Sequence, residues 1–190
     1  MTDVSIDNKD SVLDVGKRVS KAMNISNVRF VRGDVGKLPF KDESFDGLFS
    51  QEVLTYTDEK TSFQELSRVL KPGGKVYLCV NGTGWPLKIF FSGLSHGEFI
   101  ESIYAILITK NTLEKRLFGR TLNRSTFFTV GEMKNRLADV SIQLTNVWTG
   151  MQDFEIERYF KKGDRVVYRT VSRGPVLGLP YLFQVVGVKK

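Results

Sequence analysis

Lys71-Pro72-Gly73-Gly74 separates two segments of different periodicity, and that junction constrains the fold more than any other feature of the chain. Before it, Phe63, Leu66, Val69 and Leu70 recur at helical spacing and predict a helix over Thr61 to Leu70. Proline cannot continue that helix, and glycine permits the tight reversal that must follow. After it, Val76 to Val80 is continuously apolar, the pattern of a strand buried on both faces.

The same alternation extends upstream. Val4 to Asp7 predicts a short strand ending in an acid, and Asp10 or Ser11 can cap a following helix. Val12, Val15, Gly16, Val19 and Met23 then recur at helical spacing, opposite Lys17, Arg18 and Lys21. Val28 to Val31 and Phe45 to Ser50 predict two more strands. Strands alternating with amphipathic helices specify an α/β fold with a mostly parallel sheet. Residues 81 to 125 differ: Trp85, Phe90, Phe91, Phe99, Ile100, Ile103, Tyr104, Ile106 and Leu107 predict a helical, aromatic insertion. Beyond it, Val130 to Leu137 predicts a helix. Ser141 to Trp148, Val166 to Thr170 and Tyr181 to Val188 predict strands.

Composition narrows the function classes. The 190 residues suit one domain with a sizeable core. One cysteine, Cys79, excludes an internal disulfide, and one histidine, His96, leaves no usual zinc site. The net charge of +7 leaves attraction to anionic lipid or nucleic acid open, but no basic helix or aromatic RNA-binding signature gives a specific nucleic-acid signal. No uncharged apolar run reaches the ~20 residues a spanning helix needs. With no signal-peptide pattern at the N-terminus, a soluble cytoplasmic protein is expected.

Asn27-Val28-Arg29-Phe30-Val31-Arg32-Gly33-Asp34, Leu38-Pro39-Phe40, Ser44-Phe45-Asp46, Ser50-Gln51-Glu52 and Arg68 to Gly74 follow one another in an order and spacing that resemble the class I S-adenosylmethionine-dependent methyltransferases. The wording is closest to the small-molecule enzymes of the ubiquinone and menaquinone type, of the type 11 methyltransferase domain. The resemblance is strong over residues 4 to 80 and weak afterward.

Val12-Leu13-Asp14-Val15-Gly16 looks like the family's first strand, but Lys17-Arg18-Val19-Ser20 follows it instead of a glycine-rich loop. No Gly-x-Gly occurs before Leu70. If Asp7 instead ends the second family strand, one helix fills Ser11 to Met23 and the third strand begins at Val28 without a gap. Helical periodicity supports this register independently. The first family strand, its glycine-rich loop and the first helix are then not found in the chain. That strand lies between the second and fourth, so two strand edges are left unpaired. A partner chain or self-association completes the sheet, or the strands close up, or the sequence is a truncated product.

The resemblance implies the site. Asp7 takes the ribose hydroxyls of the donor, and Asn8 stands where the family has an apolar residue against the adenine. Asp34 accepts from the adenine amino group, and the Val35 amide donates to a ring nitrogen. Ser50 and Gln51 line the methionine end, with Leu54 and Tyr56 toward the acceptor. No catalytic base is assigned, although Glu52, Tyr56 and His96 are conceivable. The expected architecture is a Rossmann-like three-layer sandwich, N-terminally truncated, with a donor-binding half (1–80), a helical lid (81–125) and a closing helix and strands (126–190).

The expected function is methyl transfer from S-adenosylmethionine to a small acceptor, which the insertion's aromatic content suggests is lipophilic or flat, and the basic charge leaves peripheral membrane contact open. A catalytically silent methyltransferase-like subunit that needs a partner chain is the alternative.

Overall fold

A computed structural model describes residues 3–119, 125–149 and 179–190. The strand candidate Val166 to Thr170 lies outside the described residues. The chain begins β1 (Asp3–Asp7), α1 (Asp10–Ala22), β2 (Val28–Arg32), β3 (Phe45–Gln51). A short 3-10 turn (Leu54–Tyr56) leads to α2 (Glu59–Val69) and β4 (Leu70–Asn81). The insertion folds as α3 (Gly84–His96) and α4 (Phe99–Phe118), followed by α5 (Val130–Asp139), β5 (Ile142–Thr149) and β6 (Leu182–Lys189).

The helix over Asp10–Ala22 carries the register in which Val12 to Gly16 is helical. Gly16 is the point of closest approach: a Cβ there would stand 2.6 Å from the Phe30 ring on β2. Asp58 caps α2 by accepting the Thr61 amide at 3.0 Å. Thr129 and Glu132 form a reciprocal capping box on α5, each satisfying an amide the other leaves open.

The junction at Pro72 is tighter than the sequence suggests. No loop separates α2 from the strand that follows, because β4 starts at Leu70. Phe45 pairs with Leu70, but Gly47 already pairs with Lys75. Lys71 to Gly74 is therefore extra length accommodated as a bulge, and Gly73 supplies its positive φ of 75°.

The strands form two sheets, β1-β2 and β3-β4-β6-β5. Parallel pairing holds for β1–β2 and β3–β4, while β6 runs antiparallel to both β4 and β5. Among the described residues, the edge of β1 away from β2 and the edge of β3 away from β4 carry no partner strand. This is the break that the register of Asp7 and Val28 predicts.

The core fills one face of the larger sheet. Val76, Leu78 and Val80 alternate inward on β4, opposite Phe183 and Val185 of β6. Phe63, Leu66 and Val69 of α2 pack onto them with Met133 and Leu137 of α5. On the opposite face Cys79 and Gln184 are buried, but the side toward β3 is open. There Phe49 stacks on Tyr77 with ring centroids 5.3 Å apart, yet is 68% exposed. Val12, Val15 and Val19 of α1, with Met23 just past its end, also form an uncovered apolar stripe.

Candidate functional site

Asp7 is the last residue of β1, and its register partner on β2 is Arg32. Its backbone oxygen receives the Gly33 amide at 3.0 Å, so the exits of both strands are tied together. One carboxylate oxygen accepts the Lys9 amide at 2.8 Å. Asn8 follows, exposed in the bend.

Asp34 has the same construction one strand over. Its Oδ1 accepts the Gly36 amide at 2.7 Å, and its backbone oxygen accepts the Lys37 amide at 3.0 Å. Each aspartate thus spends one carboxylate oxygen on its own turn and leaves the other without a hydrogen bond among the described residues. The Val35 amide also makes none among them, while its side chain packs against the core. Gly33 keeps this corner tight, since a Cβ there would stand 2.6 Å from Ile6 and 3.1 Å from the Pro39 ring.

The loop bearing Asp34 and Val35 is held by α2. Glu65 accepts the Leu38 amide at 2.7 Å. Arg68 donates to the carbonyl oxygens of Leu38 at 3.0 Å and Phe40 at 2.8 Å, to Asp42 at 2.8 Å and to both oxygens of Glu65 at 2.7 Å. The Arg68 hydrogen bonds hold the Glu65 carboxyl below its ordinary range; burial opposes this, and the Leu38 amide adds to it. A planar guanidinium can serve two carbonyls and two carboxylates at once, which a lysine cannot. This clamp escaped the sequence reading. Its signal is Glu65 and Arg68 one helical turn apart on the polar side of α2.

Ser50 and Gln51 end β3, opposite Leu78 and Cys79 of β4. Ser50 is buried and Gln51 exposed. Glu52 turns the chain with a φ of 58° and donates its amide to the Cys79 oxygen at 2.7 Å. Asp7, Asp34, Ser50 and Gln51 therefore all stand at or just beyond the carboxyl ends of parallel strands, the edge at which open α/β sheets take their ligands. Asp7 and Asp34 belong to one sheet and Ser50 and Gln51 to the other, and β1 and β3 each keep one unpaired edge among the described residues.

The remaining candidates are dispersed. Tyr56 is half exposed on the 3-10 turn. His96 is the last residue of α3, exposed, with Nδ1 2.8 Å from the Ser92 oxygen. Cys79 is buried, and burial followed by the Glu52 charge pushes its thiol up to about 11. Among the described residues no group of histidine, cysteine and carboxylate side chains is arranged for a metal ion, and no helix is long and apolar enough to cross a membrane.

Comparison with known proteins bears on the fold and the matched segment. The methyltransferase-domain family matches residues 2–78. Demethylmenaquinone methyltransferases from Staphylococcus aureus strains JH9 and Newman are 33% identical over 124 residues, 64% of this chain and 48% of theirs. The chain thus spans about half the length of these curated relatives. Among solved structures, a methyltransferase from Methanosarcina mazei superposes with a TM-score of 0.60 at 19% identity, over 98% of this chain and 81% of that one. A geranyl diphosphate C-methyltransferase from Streptomyces coelicolor gives 0.60 at 14% identity, over 98% and 62%. A Haloferax volcanii methyltransferase solved with its activator gives 0.60 at 17%, over 98% and 71%. Residues 2–78 thus resemble the methyltransferase-domain family, and the described chain shares the Rossmann-like α/β fold of these solved methyltransferases.

Proposed function

We propose that the chain takes part in methyl transfer from S-adenosylmethionine to a small lipophilic acceptor. The observation that carries this reading is the pair Asp7 and Asp34, on adjacent parallel strand exits, each with one oxygen fixed by a backbone amide and the other open. Open carboxylate oxygens at that edge suit the ribose hydroxyls and the adenine amino group, and the Val35 amide suits a ring nitrogen. Asn8 borders the adenine, and Ser50 and Gln51 serve the methionine end. The donor supplies an electrophilic methyl on a positively charged sulfur. What remains for the protein is alignment and exclusion of water. No base is assigned among Glu52, Tyr56 and His96.

The division of labour follows the chain: residues 1–80 hold the donor, 81–125 cover the acceptor, and 126–190 close the sheet. An apolar groove of about 540 Å³ runs between α3 and α4, lined by Pro86, Leu87, Phe90, Ile106, Leu113 and Leu117. Its size and apolar lining suit a lipophilic acceptor, and the name of the staphylococcal relatives points to a quinone-like one. The stripe of Phe99, Ile100 and Ile103 on α4, with Ile100 83% exposed, suits contact with a membrane surface.

A second reading has its own observation. The unpaired edges of β1 and β3, the open Phe49–Tyr77 face and the α1 stripe together suit a further strand and helix, from elsewhere in the polypeptide, a second copy or a partner chain. Under that reading this chain binds the donor only when the sheet is completed. Titration with S-adenosylmethionine, with the oligomeric state measured on the same sample, separates the two. Binding by a monomer supports the first, and binding confined to an assembly supports the second.

A further inference from the structure

The polar side chains buried among the described residues are all uncharged, and most have visible partners. Ser67 donates to the Val140 oxygen, Ser102 to Phe90, Thr112 to Ile108, Thr55 to Glu52 and Thr126 to Thr55. Asn81 does not fit this pattern. It is 1% exposed, and neither Nδ2 nor Oδ1 has a hydrogen-bond partner among the described residues. A buried carboxamide with both ends unmet has lost its hydration with nothing to replace it, which is costly.

Its position suggests a use. Asn81 is the last residue of β4, on the same carboxyl edge as Ser50 and Gln51. The Asn81 backbone oxygen accepts the Phe128 amide at 2.9 Å, and the Thr55 oxygen accepts the Thr126 amide at 2.9 Å. The exit of β4, the 3-10 turn and the segment entering α5 are therefore bound to one another. Ser125 lies on that last segment, 4% exposed, and its Oγ is also unpartnered among the described residues. Three residues beyond Asn81 begins α3, whose Pro86 and Leu87 line the apolar groove.

We propose that the Asn81 carboxamide, with the Ser125 hydroxyl, recognises a neutral polar group of the methyl acceptor, such as a hydroxyl or an adjacent carbonyl and hydroxyl. The carboxamide offers one donor and one acceptor function, which such a group matches. An anionic group is disfavoured, because it would lose its hydration among buried side chains that carry no charge. Asn81 is a binding and specificity residue in this account. The inference rests on the methyltransferase reading for the word acceptor.

The test uses Asn81→Leu, which keeps the volume and removes both unmet groups. The probes are 4-pentylphenol, 4-pentyltoluene and 4-pentylbenzoate, which share an apolar body and differ in the head. Ligand-free wild type and variant are compared by thermal unfolding, and probe affinities by ligand-observed NMR at neutral pH. The expected result is that the variant unfolds at the same or a higher temperature. Wild type should prefer the phenol over the toluene by about tenfold or more and reject the benzoate, and the variant should lose that preference. A variant that unfolds at lower temperature assigns the carboxamide a structural role and overturns the proposal. So does a preference that survives in the variant, or a phenol that wild type does not prefer, as when an internal water alone satisfies Asn81. S-Adenosylmethionine titration of the same wild-type sample keeps the two readings apart. Loss of donor binding with an intact phenol preference defeats the methyltransferase reading and leaves the head-group site standing.

Discussion

The guanidinium of Arg68 lies 3.0 Å from the carbonyl oxygen of Leu38, thirty residues earlier in the chain. That contact, with the Glu65 carboxylate on the Leu38 amide, fixes the loop that leaves Asp34 and Val35 at the exit of β2. Removing it with Arg68→Met should free the loop and leave Glu65 without its cation. The expected outcome is a lower unfolding temperature and roughly tenfold weaker donor binding, about the effect of one or two hydrogen bonds. Arg68→Lys should recover little of either, since an ammonium cannot span four acceptors. Isothermal titration and thermal melts of the two variants check this.

The clamp also gives a pH dependence. Hydrogen bonds from Arg68 lower the Glu65 pKa from its ordinary value of 4.5, and those from Thr61 lower that of Asp58 from 3.8. A depressed carboxyl stabilises the fold fully above its unfolded pKa and ceases to do so as pH falls through its folded value. Unfolding temperature should therefore hold steady at neutral pH and fall on acidification below about pH 4.5. Glu65→Gln should start lower and fall less steeply over the same window, as measured by thermal melts between pH 7 and pH 3.

Cys79 illustrates a core residue next to the site. With its thiol pushed up to about 11 by burial, it is protonated at neutral pH and shielded from reagents. Ellman's reagent should modify it only on global unfolding, at a rate that rises with denaturant. Fast labelling of the native protein would contradict the packing of β4 against β6.

The apolar stripe of α4 should be dispensable for folding. Ile100 and Ile103 are 83% and 58% exposed, so Ile100→Ser with Ile103→Ser should change stability by no more than ~0.5 kcal/mol per site. The same change should reduce co-sedimentation with phosphatidylglycerol vesicles at least several-fold if the stripe meets a membrane. Unchanged vesicle binding would remove the membrane from the account.

The elements were legible where periodicity was clear. Val12, Val15, Val19 and Met23 marked α1 despite the strand-like wording of Val12 to Gly16, because a helix and a strand distribute those positions differently. The split of the sheet was legible for the same reason, since fixing Asp7 as a strand end leaves β1 and β3 with unpaired edges among the described residues. The start of β4 at Leu70 was not legible. Proline and glycine signal a turn in sequence, and only pairing with Phe45 reveals that the turn is a bulge within a strand. The candidate donor residues Asp7, Asp34, Ser50 and Gln51 were legible as residue types at strand exits, where the structure also puts them. What supports them was not. In sequence, Arg68 and Glu65 are only two charged residues one helical turn apart on α2, and Asn81 only the residue before Gly82. Their roles depend on contacts across 26 to 47 residues, which no local pattern encodes.

The most direct measurement is calorimetric titration of the folded chain with S-adenosylmethionine, repeated on Asp7→Ala and Asp34→Ala. The account expects saturable binding by the wild type that weakens about tenfold or more in each variant, while thermal melts show both variants folded. A well-folded wild type that does not bind the donor, or variants that bind it as tightly as wild type, would contradict the assignment of these strand exits as the donor site.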